Sequence, residues 1–354
     1  MNDTLVLIPA YQPTKNLIEL TSSLFASGYR ILIVDDGSGE KYSDLFEKLG
    51  ATSTVIGYDE NKGKGYAIKY GLEYISEQMR YLDYLIIADS DGQHCEEAIN
   101  DISNRLHRDG GLVAASRNNF KDKNRKGIKA LNSILRLIYS LGTGIYISDM
   151  NTGLRGFEMR EINWLMTVDG NSFDYETKVL IEAAKRRIPI QTISIRNCEW
   201  IQSEIEDSHF NPIHDGSRQL LILLKSLLPS ICAMLINYFL TLIIILIVGK
   251  NYAGVAAGVM VGNLFGISSS VFMNNTFGYE ENFDGVLSYN RILIGQLRFF
   301  AYFAFMELIC AMMGLGAFLS LIITIIITAA IELFIIKQGV DRKLRLKVRA
   351  DNAE

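Results

Sequence analysis

The feature that most limits how this chain can fold is an abrupt change of polarity near residue 220. From residue 226 to 249 it reads SLLPSICAMLINYFLTLIIILIVG, without a single charge. A helix crosses the hydrocarbon core of a bilayer in about 20 residues, with every backbone polar group paired internally. A second such run, YAGVAAGVMVGNLFGISSSVFM, covers 252–273. The apolar stretch 299–336 is about twice the length of one span and breaks at Gly314-Leu315-Gly316. This pattern predicts a membrane domain at 221–340 with four spans, at about 226–249, 252–273, 296–315 and 317–337. Two acids lie within the apolar stretch, Glu307 and Glu332. Glu332 is about a helical turn from Lys337, which suits a structural pair; Glu307 is nearer mid-span, where a charge marks a partner span, a subunit or a lipid headgroup.

Lys and Arg set the expected orientation. The segment KQGVDRKLRLKVR (337–349), running into the tail 341–354, is strongly basic, and the connection 274–298 carries Arg291 and Arg298. The short outer connections hold only Lys250. With an even number of spans, tail and N-terminal domain share a side, which the positive-inside bias makes cytoplasmic. Asp3 leads directly into an apolar run with no basic segment before it, so no signal peptide is expected. Net charge is −4, so nothing suggests a general nucleic-acid binder. Cys95, Cys198, Cys232 and Cys310 are too scattered to imply a zinc site or a disulfide framework.

Residues 1–220 read differently. TLVLIPAY (4–11), ILIVDD (31–36), STVIGY (53–58), YLIIADSD (84–91) and GLVAASR (111–117) are short apolar runs ending in polar or small residues. Helical patterns separate them at about 14–27, 63–79 and 95–108. That alternation predicts an α/β fold: a mostly parallel sheet with helices on both faces. Ligands in such sheets bind beyond the carboxyl ends of the strands, where Asp35-Asp36-Gly37-Ser38, Asp89-Ser90-Asp91 and Ser116-Arg117 would gather. Asp89 and Asp91 share a face if strand geometry persists, and then repel unless a cation lies between them. Hard oxygen ligands suit Mg²⁺ or Mn²⁺; the alternative is a solvated turn. Between the halves, KDKNRKGIKALNSILRLIYSLGTGIYI (121–147) starts with Lys121, Lys123, Arg125, Lys126 and Lys129. It continues with an apolar stripe of Ile128, Leu131, Ile134, Leu135 and Ile138. This reads as a basic amphipathic helix on anionic lipid or as an ordinary surface helix packed on the core.

LIPAYQP, VDDGS, NKGKGYAI, ADSDGQH, AASR, DMNTGLRGF, FDYETKVLIEA and SHFNP occur in that order over about residues 5–218. Together they resemble family-2 glycosyltransferases of the GT-A fold, and among them polyprenyl-phosphate glycosyltransferases similar to dolichol-phosphate mannose synthase and bactoprenol glucosyltransferases. The last 130 or so residues resemble the four-span GtrA family, chiefly in hydropathy.

The resemblance implies an inverting, metal-dependent hexosyltransferase that moves a hexose from a nucleotide sugar to undecaprenyl or dolichyl phosphate at the cytoplasmic membrane face. The product would serve surface-glycan modification. UDP-glucose is the first candidate donor; other UDP-hexoses and GDP-mannose stay open. Pro9, Ala10, Tyr11, Asp35 and Asp36 would hold the nucleoside, with Asp89 and Ser90 against the donor. Lys62 and Lys64 would touch the donor, or form a flexible basic turn. Asp89, Asp91 and Gln93 would hold Mg²⁺ or Mn²⁺. Arg117, Arg155 and Arg218 would grip the acceptor phosphate, because guanidinium matches phosphate as a fork. Asp149 would orient a sugar hydroxyl or act on the acceptor. Asp89, Asp91, Asp149 and Arg117 are the catalytic candidates. Ser208 and His209 fall where the family's loop approaches the site. Membrane lipids are expected partners, and a homo-oligomer is allowed. One rival is a processive polysaccharide synthase, disfavoured because neither Trp164 nor Trp200 sits in a Q-x-x-R-W motif. Another is a lipid-sugar flippase or membrane scaffold with a vestigial catalytic domain.

Overall fold

The computed structural model describes residues 3–91, 94–116, 126–143, 145–186, 188–195 and 214–249, and a subset of those between 254 and 331. They fall into two compact units, Met1–Arg136 with Ile147–Ile222, and Leu137–Tyr146 with Leu223–Glu354.

The first unit is built on strands β1 (Thr4–Ala10), β2 (Arg30–Asp36), β3 (Thr54–Tyr58), β4 (Tyr84–Ile87), β5 (Leu112–Ser116), β6 (Arg155–Glu158) and β7 (Ile190–Ser194). Its helices are α1 (Asn16–Ala26), α2 (Ser43–Leu49), α3 (Lys64–Gln78), α4 (Glu96–Asp109), α6 (Ile162–Thr167) and α7 (Asp174–Lys185). Helices α5 (Lys126–Thr143) and α8 (His214–Val248) each begin in the first unit and end in the second.

The strand order is β3-β2-β1-β4-β6-β5-β7. Only β6 runs against its neighbours, β4 and β5. Six carboxyl ends therefore meet at one edge, together with the start of β6. The expected mostly parallel sheet is present, with helices on both faces. Strand alternation sorts the two cores. Val6, Ile8, Ile33, Ile86 and Val113 pack with Leu17, Phe46 and Ile102 of α1, α2 and α4. On the other face α3 approaches so closely that a Cβ on Gly71 would lie 2.6 Å from Leu7. Strands buried on both sides must be apolar throughout, which is why β1, β2 and β4 read as unbroken apolar runs.

The backbone of α8, whose residues from Leu223 onward belong to the second unit, is one helix of 35 residues, about 52 Å at 1.5 Å per residue. Its sequence carries no charge after Lys225. Counted over the described residues alone, no helix is long and apolar enough to cross a membrane. The described residues between 254 and 269 are helical, and Gly314 lies in a turn with φ +70°. Glu307 and Glu332 lie outside the described residues.

Candidate active site

At the carboxyl edge, β4 ends at Ile87, opposite Arg155 where β6 begins. The strand stops two residues before Asp89, so alternation does not carry through to Asp91. The two carboxylates differ instead: Asp89 is largely buried and Asp91 exposed. The cation beside Asp89 is supplied by the chain. Lys64, the first residue of α3, pairs with Asp89 Oδ1 and with Glu176 Oε1 of α7. The Phe173 ring lies 5.7 Å from the same ammonium. His94 Nε2 lies 3.2 Å from Asp89 Oδ2. A Cβ on Gly153 would fall 2.1 Å from Asp89 Oδ1, so no larger residue fits beside this carboxylate. Burial alone would raise the Asp89 pKa; Lys64 and the His94 contact outweigh it and hold the carboxyl well below its usual range. Burial would likewise lower Lys64, but Asp89 and Glu176 hold its ammonium above the usual lysine range.

The ends of β1 and β2 form a neighbouring corner. Neighbouring strand residues point to opposite faces, and Asp35 and Asp36 do different work accordingly. Asp35 Oδ1 accepts the Ser38 N–H at 2.9 Å, and Ser38 Oγ accepts the Gln12 N–H at 2.8 Å. Gln12 has φ +49°, the one non-glycine with positive φ among the described residues, held there by that contact. Pro9 and Ala10 are buried on β1, and Tyr11 is half-buried beyond it. Asp36 faces the start of α3 and accepts from Tyr58 Oη at 2.7 Å, the Lys62 N–H at 2.8 Å and the Gly63 N–H at 3.0 Å. Its carboxylate therefore organises the 61–63 turn. Burial and the Asp36 contact push the Tyr58 phenol above its ordinary value. Lys62 Nζ sits 5.1 Å from the Tyr58 ring and 4.8 Å from the Tyr66 ring. The basic turn at 62–64 is thus pinned by Asp36 and by aromatic rings.

Asp149, 3 % exposed, lies on the loop leading to Gly153 and β6. Its Oδ1 accepts from Asn132 Nδ2 of α5 at 3.1 Å and from the Asn151 N–H at 3.0 Å. Arg155 is buried, and its guanidinium donates to the carbonyls of Thr152 (3.0 Å), Glu176 (2.6 Å) and Met150 (3.1 Å). That places it inside the fold as a staple between the 150–152 loop and α7, rather than open to an acceptor phosphate. Arg218 on α8 is 52 % exposed at its side chain and lies 3.4 Å from Asp174 Oδ2. Gln93, Arg117, Ser208 and His209 lie outside the described residues. Glu176 and His94 are members of the site that sequence reasoning missed. Cys95, beside His94, is disulfide-bonded, a bridge that the scattered spacing did not imply; Cys232 and Cys310 are free.

Among the described residues no group of three His, Cys, Asp or Glu could enclose a metal ion. The donor set still fits a divalent ion of the Mg²⁺ type. Such ions take one or two carboxylates and complete their shell with substrate phosphates, and Asp91 presents an exposed carboxylate at the sheet edge.

A nearly parallel sheet with one reversed strand, and carboxylates with a buried lysine at its carboxyl edge, define an α/β enzyme taking its ligand at that edge. Residues 5–175 match the model of glycosyl transferase family 2. The matched segment is similar to family 2 glycosyltransferase domains, and the protein is a glycosyltransferase. Glycosyltransferase AglJ of Haloferax volcanii is 26 % identical over 60 % of this chain and 67 % of that protein. The undecaprenyl-phosphate 4-deoxy-4-formamido-L-arabinose transferase of Pseudomonas fluorescens is 26 % identical over 51 % of this chain and 57 % of that protein. Among solved structures, glucosyl-3-phosphoglycerate synthase from Mycobacterium tuberculosis, in complex with Mn²⁺, UDP-glucose and phosphoglyceric acid, overlaps with a TM-score of 0.46. It is 16 % identical, over 63 % of this chain and 78 % of that one.

Proposed function

We propose that this enzyme transfers a hexose from a nucleotide sugar to polyprenyl phosphate at the cytoplasmic face of a membrane, with inversion. UDP-glucose is the first donor to test. The observation that carries the lipid acceptor is the inverted polarity of the second unit. Phe239, Ile243 and Ile247 of α8 face outward, Phe239 at 58 % exposure. Asn237 and Thr241 of the same helix are buried and hydrogen-bonded to each other at 3.3 Å. Thr241 also donates to the Gly258 carbonyl at 3.1 Å. Polar inside and apolar outside is the arrangement lipid demands and water forbids. The Pseudomonas fluorescens relative is an undecaprenyl-phosphate transferase by name, which supports the same acceptor class.

The chemistry follows. A lipid phosphate is already an oxyanion near neutral pH, so little general-base help is needed. One phosphate oxygen attacks the anomeric carbon in line, the bond from that carbon to the nucleoside diphosphate breaks, and its electron pair leaves with the diphosphate. An α-linked donor then gives a β-linked lipid phosphate sugar. Asp35, Ser38 and the Gln12 turn would shape the nucleoside corner. Asp91, with Asp89 and Gln93, would hold Mg²⁺ or Mn²⁺, which when bound neutralises the leaving diphosphate. Arg218 and Arg117 would draw the acceptor phosphate toward an anionic donor. Asp149 would orient the sugar or the acceptor. The basic run at 121–129 and the basic tail would lie at the anionic lipid surface.

The test uses membranes containing the full chain, undecaprenyl phosphate, and labelled UDP-glucose, UDP-galactose, UDP-N-acetylglucosamine or GDP-mannose, each with Mg²⁺, Mn²⁺ or EDTA. A metal-dependent, lipid-extractable product from one donor, absent with Asp91→Ala, is expected. No transfer from any donor, or the retained anomer as sole product, overturns the reading.

A further inference from the structure

Helix α5 carries an apolar stripe interrupted by one amide. Leu135 is buried, and Leu131 packs where a Cβ on Gly216 of α8 would fall, 2.3 Å from its Cδ2. Asn132 stands between them in sequence. Asparagine weakens a helix interior, because its amide competes for backbone partners. Here both ends of that amide are spent on a single loop. Nδ2 donates to Asp149 Oδ1 at 3.1 Å, and Oδ1 accepts the Met150 N–H at 3.0 Å. One turn further along, Arg136 donates to the Ser148 carbonyl at 3.4 Å. Three consecutive loop residues, 148 to 150, are thereby tied to one face of α5. The second donor to Asp149 Oδ1 is the loop's own Asn151 N–H, at 3.0 Å. Of these two donors, only Asn132 refers the carboxylate to something outside its own turn.

We propose that Asn132 is a positioning residue through which α5 fixes the orientation of the Asp149 carboxylate for sugar transfer. The inference rests on the reading of Asp149 as a member of the transfer site. It adds that the segment expected at the lipid surface and the carboxylate at the sheet edge are mechanically one piece. A helix seated on its surrounding structure then holds Asp149 in a single direction, and a buried carboxylate that keeps one direction needs no reorganisation as charge develops.

Two variants of the full chain in lipid nanodiscs separate positioning from mere loop support. Asn132→Asp keeps an acceptor for the Met150 N–H but removes the donor to Asp149. Asn132→Leu removes both. If Asn132 acts through Asp149, both variants lose kcat by roughly 10- to 100-fold, the range for a lost hydrogen bond to a charged group. Their KM for the nucleotide sugar stays within about twofold of wild type, although Asn132→Asp, which sets a second carboxylate beside the buried Asp149, lowers its thermal midpoint. An active Asn132→Asp enzyme beside an impaired Asn132→Leu enzyme overturns the inference, because loop support through Met150 would then suffice. So does a parallel fall in kcat, donor affinity and thermal midpoint in both, the sign of general unfolding. A wild-type enzyme that transfers no sugar to polyprenyl phosphate from any donor overturns the reading of the site, and the inference with it. Wild-type transfer with both variants at parity overturns the inference alone.

Discussion

Lys64 brings one ammonium between two carboxylates that lie far apart in sequence. Replacing it with methionine leaves Asp89 and Glu176 facing each other, with Asp89 still largely buried. Removing one partner of a buried ion cluster costs about 3–5 kcal/mol, and Lys64→Met is expected to lower the denaturation midpoint accordingly. The pH dependence has a definite sign. Asp89 has a depressed pKa, so its contribution is present above the unfolded value of about 3.9 and is lost as pH falls through the lower folded value. Lys64 has a raised pKa, so its contribution is complete below about 10.4 and is lost as pH rises through the higher folded value. In Lys64→Met the buried Asp89 loses that cation and burial raises its pKa, so the gap between wild type and variant is widest toward pH 9 and narrows as pH falls. Denaturation series at pH 3.5, 5, 7 and 9 check this. A gap that stays constant down to pH 3.5 would mean that Lys64 is not what keeps Asp89 charged.

At the scale of elements, the site depends on how the start of α3 meets the turn before α7. Gly63 has φ +95°, and a Cβ there would lie 2.3 Å from the Asn171 carbonyl oxygen. Gly28, after α1, has φ +84° with nothing within 4 Å of its missing Cβ. Both substitutions to alanine carry backbone strain of about 1 kcal/mol or more. Only Gly63→Ala also forces α3 away from the turn and moves Lys64. Gly28→Ala is expected to lower the thermal midpoint slightly and spare transfer, whereas Gly63→Ala lowers both midpoint and kcat/KM for the donor. Equal activities would show that the close approach does not set the site. The same comparison explains what was legible in the sequence. Strands β1 to β5 and helices α1, α3 and α4 could be read because burial on both sheet faces, or on one helix face, imposes a regular apolar pattern. Strand β6, with sequence RGFE, has no such pattern. It is a strand because β4 and β5 pair with it, and its Arg155 is buried only because three carbonyls from two other segments receive it. Glu176 was missed for the same reason: its partner Lys64 is 112 residues away, and local sequence carries no sign of the pairing. The i, i+2 argument for Asp89 and Asp91 failed because β4 loses its β6 partner after Ile87.

For the whole molecule, the two units obey opposite rules of burial. In the first, buried apolar residues line both faces of a sheet and the chemistry lies at its edge. In the second, the described part of α8 hides Asn237 and Thr241 and exposes Phe239, Ile243, Leu246 and Ile247. The close fit of Gly262, where a Cβ would lie 2.5 Å from Asn237 Oδ1, lets a neighbouring helical segment reach those amides and hydroxyls. Water would reverse that pattern, since exposed aromatic and aliphatic side chains over several turns form an apolar patch that a soluble surface does not keep. The wild-type chain is therefore expected to stay with membranes through an alkaline carbonate wash. Phe239→Lys places a charge on the outward face, where insertion costs about 2.5–3.5 kcal/mol near the bilayer centre, and its membrane-retained fraction should fall several-fold at equal expression. Retention of the wild type with loss of the variant would tie the outward face of α8 to lipid. Release of the wild type by carbonate would detach the second unit from the bilayer, and with it the physical reason for a lipid acceptor.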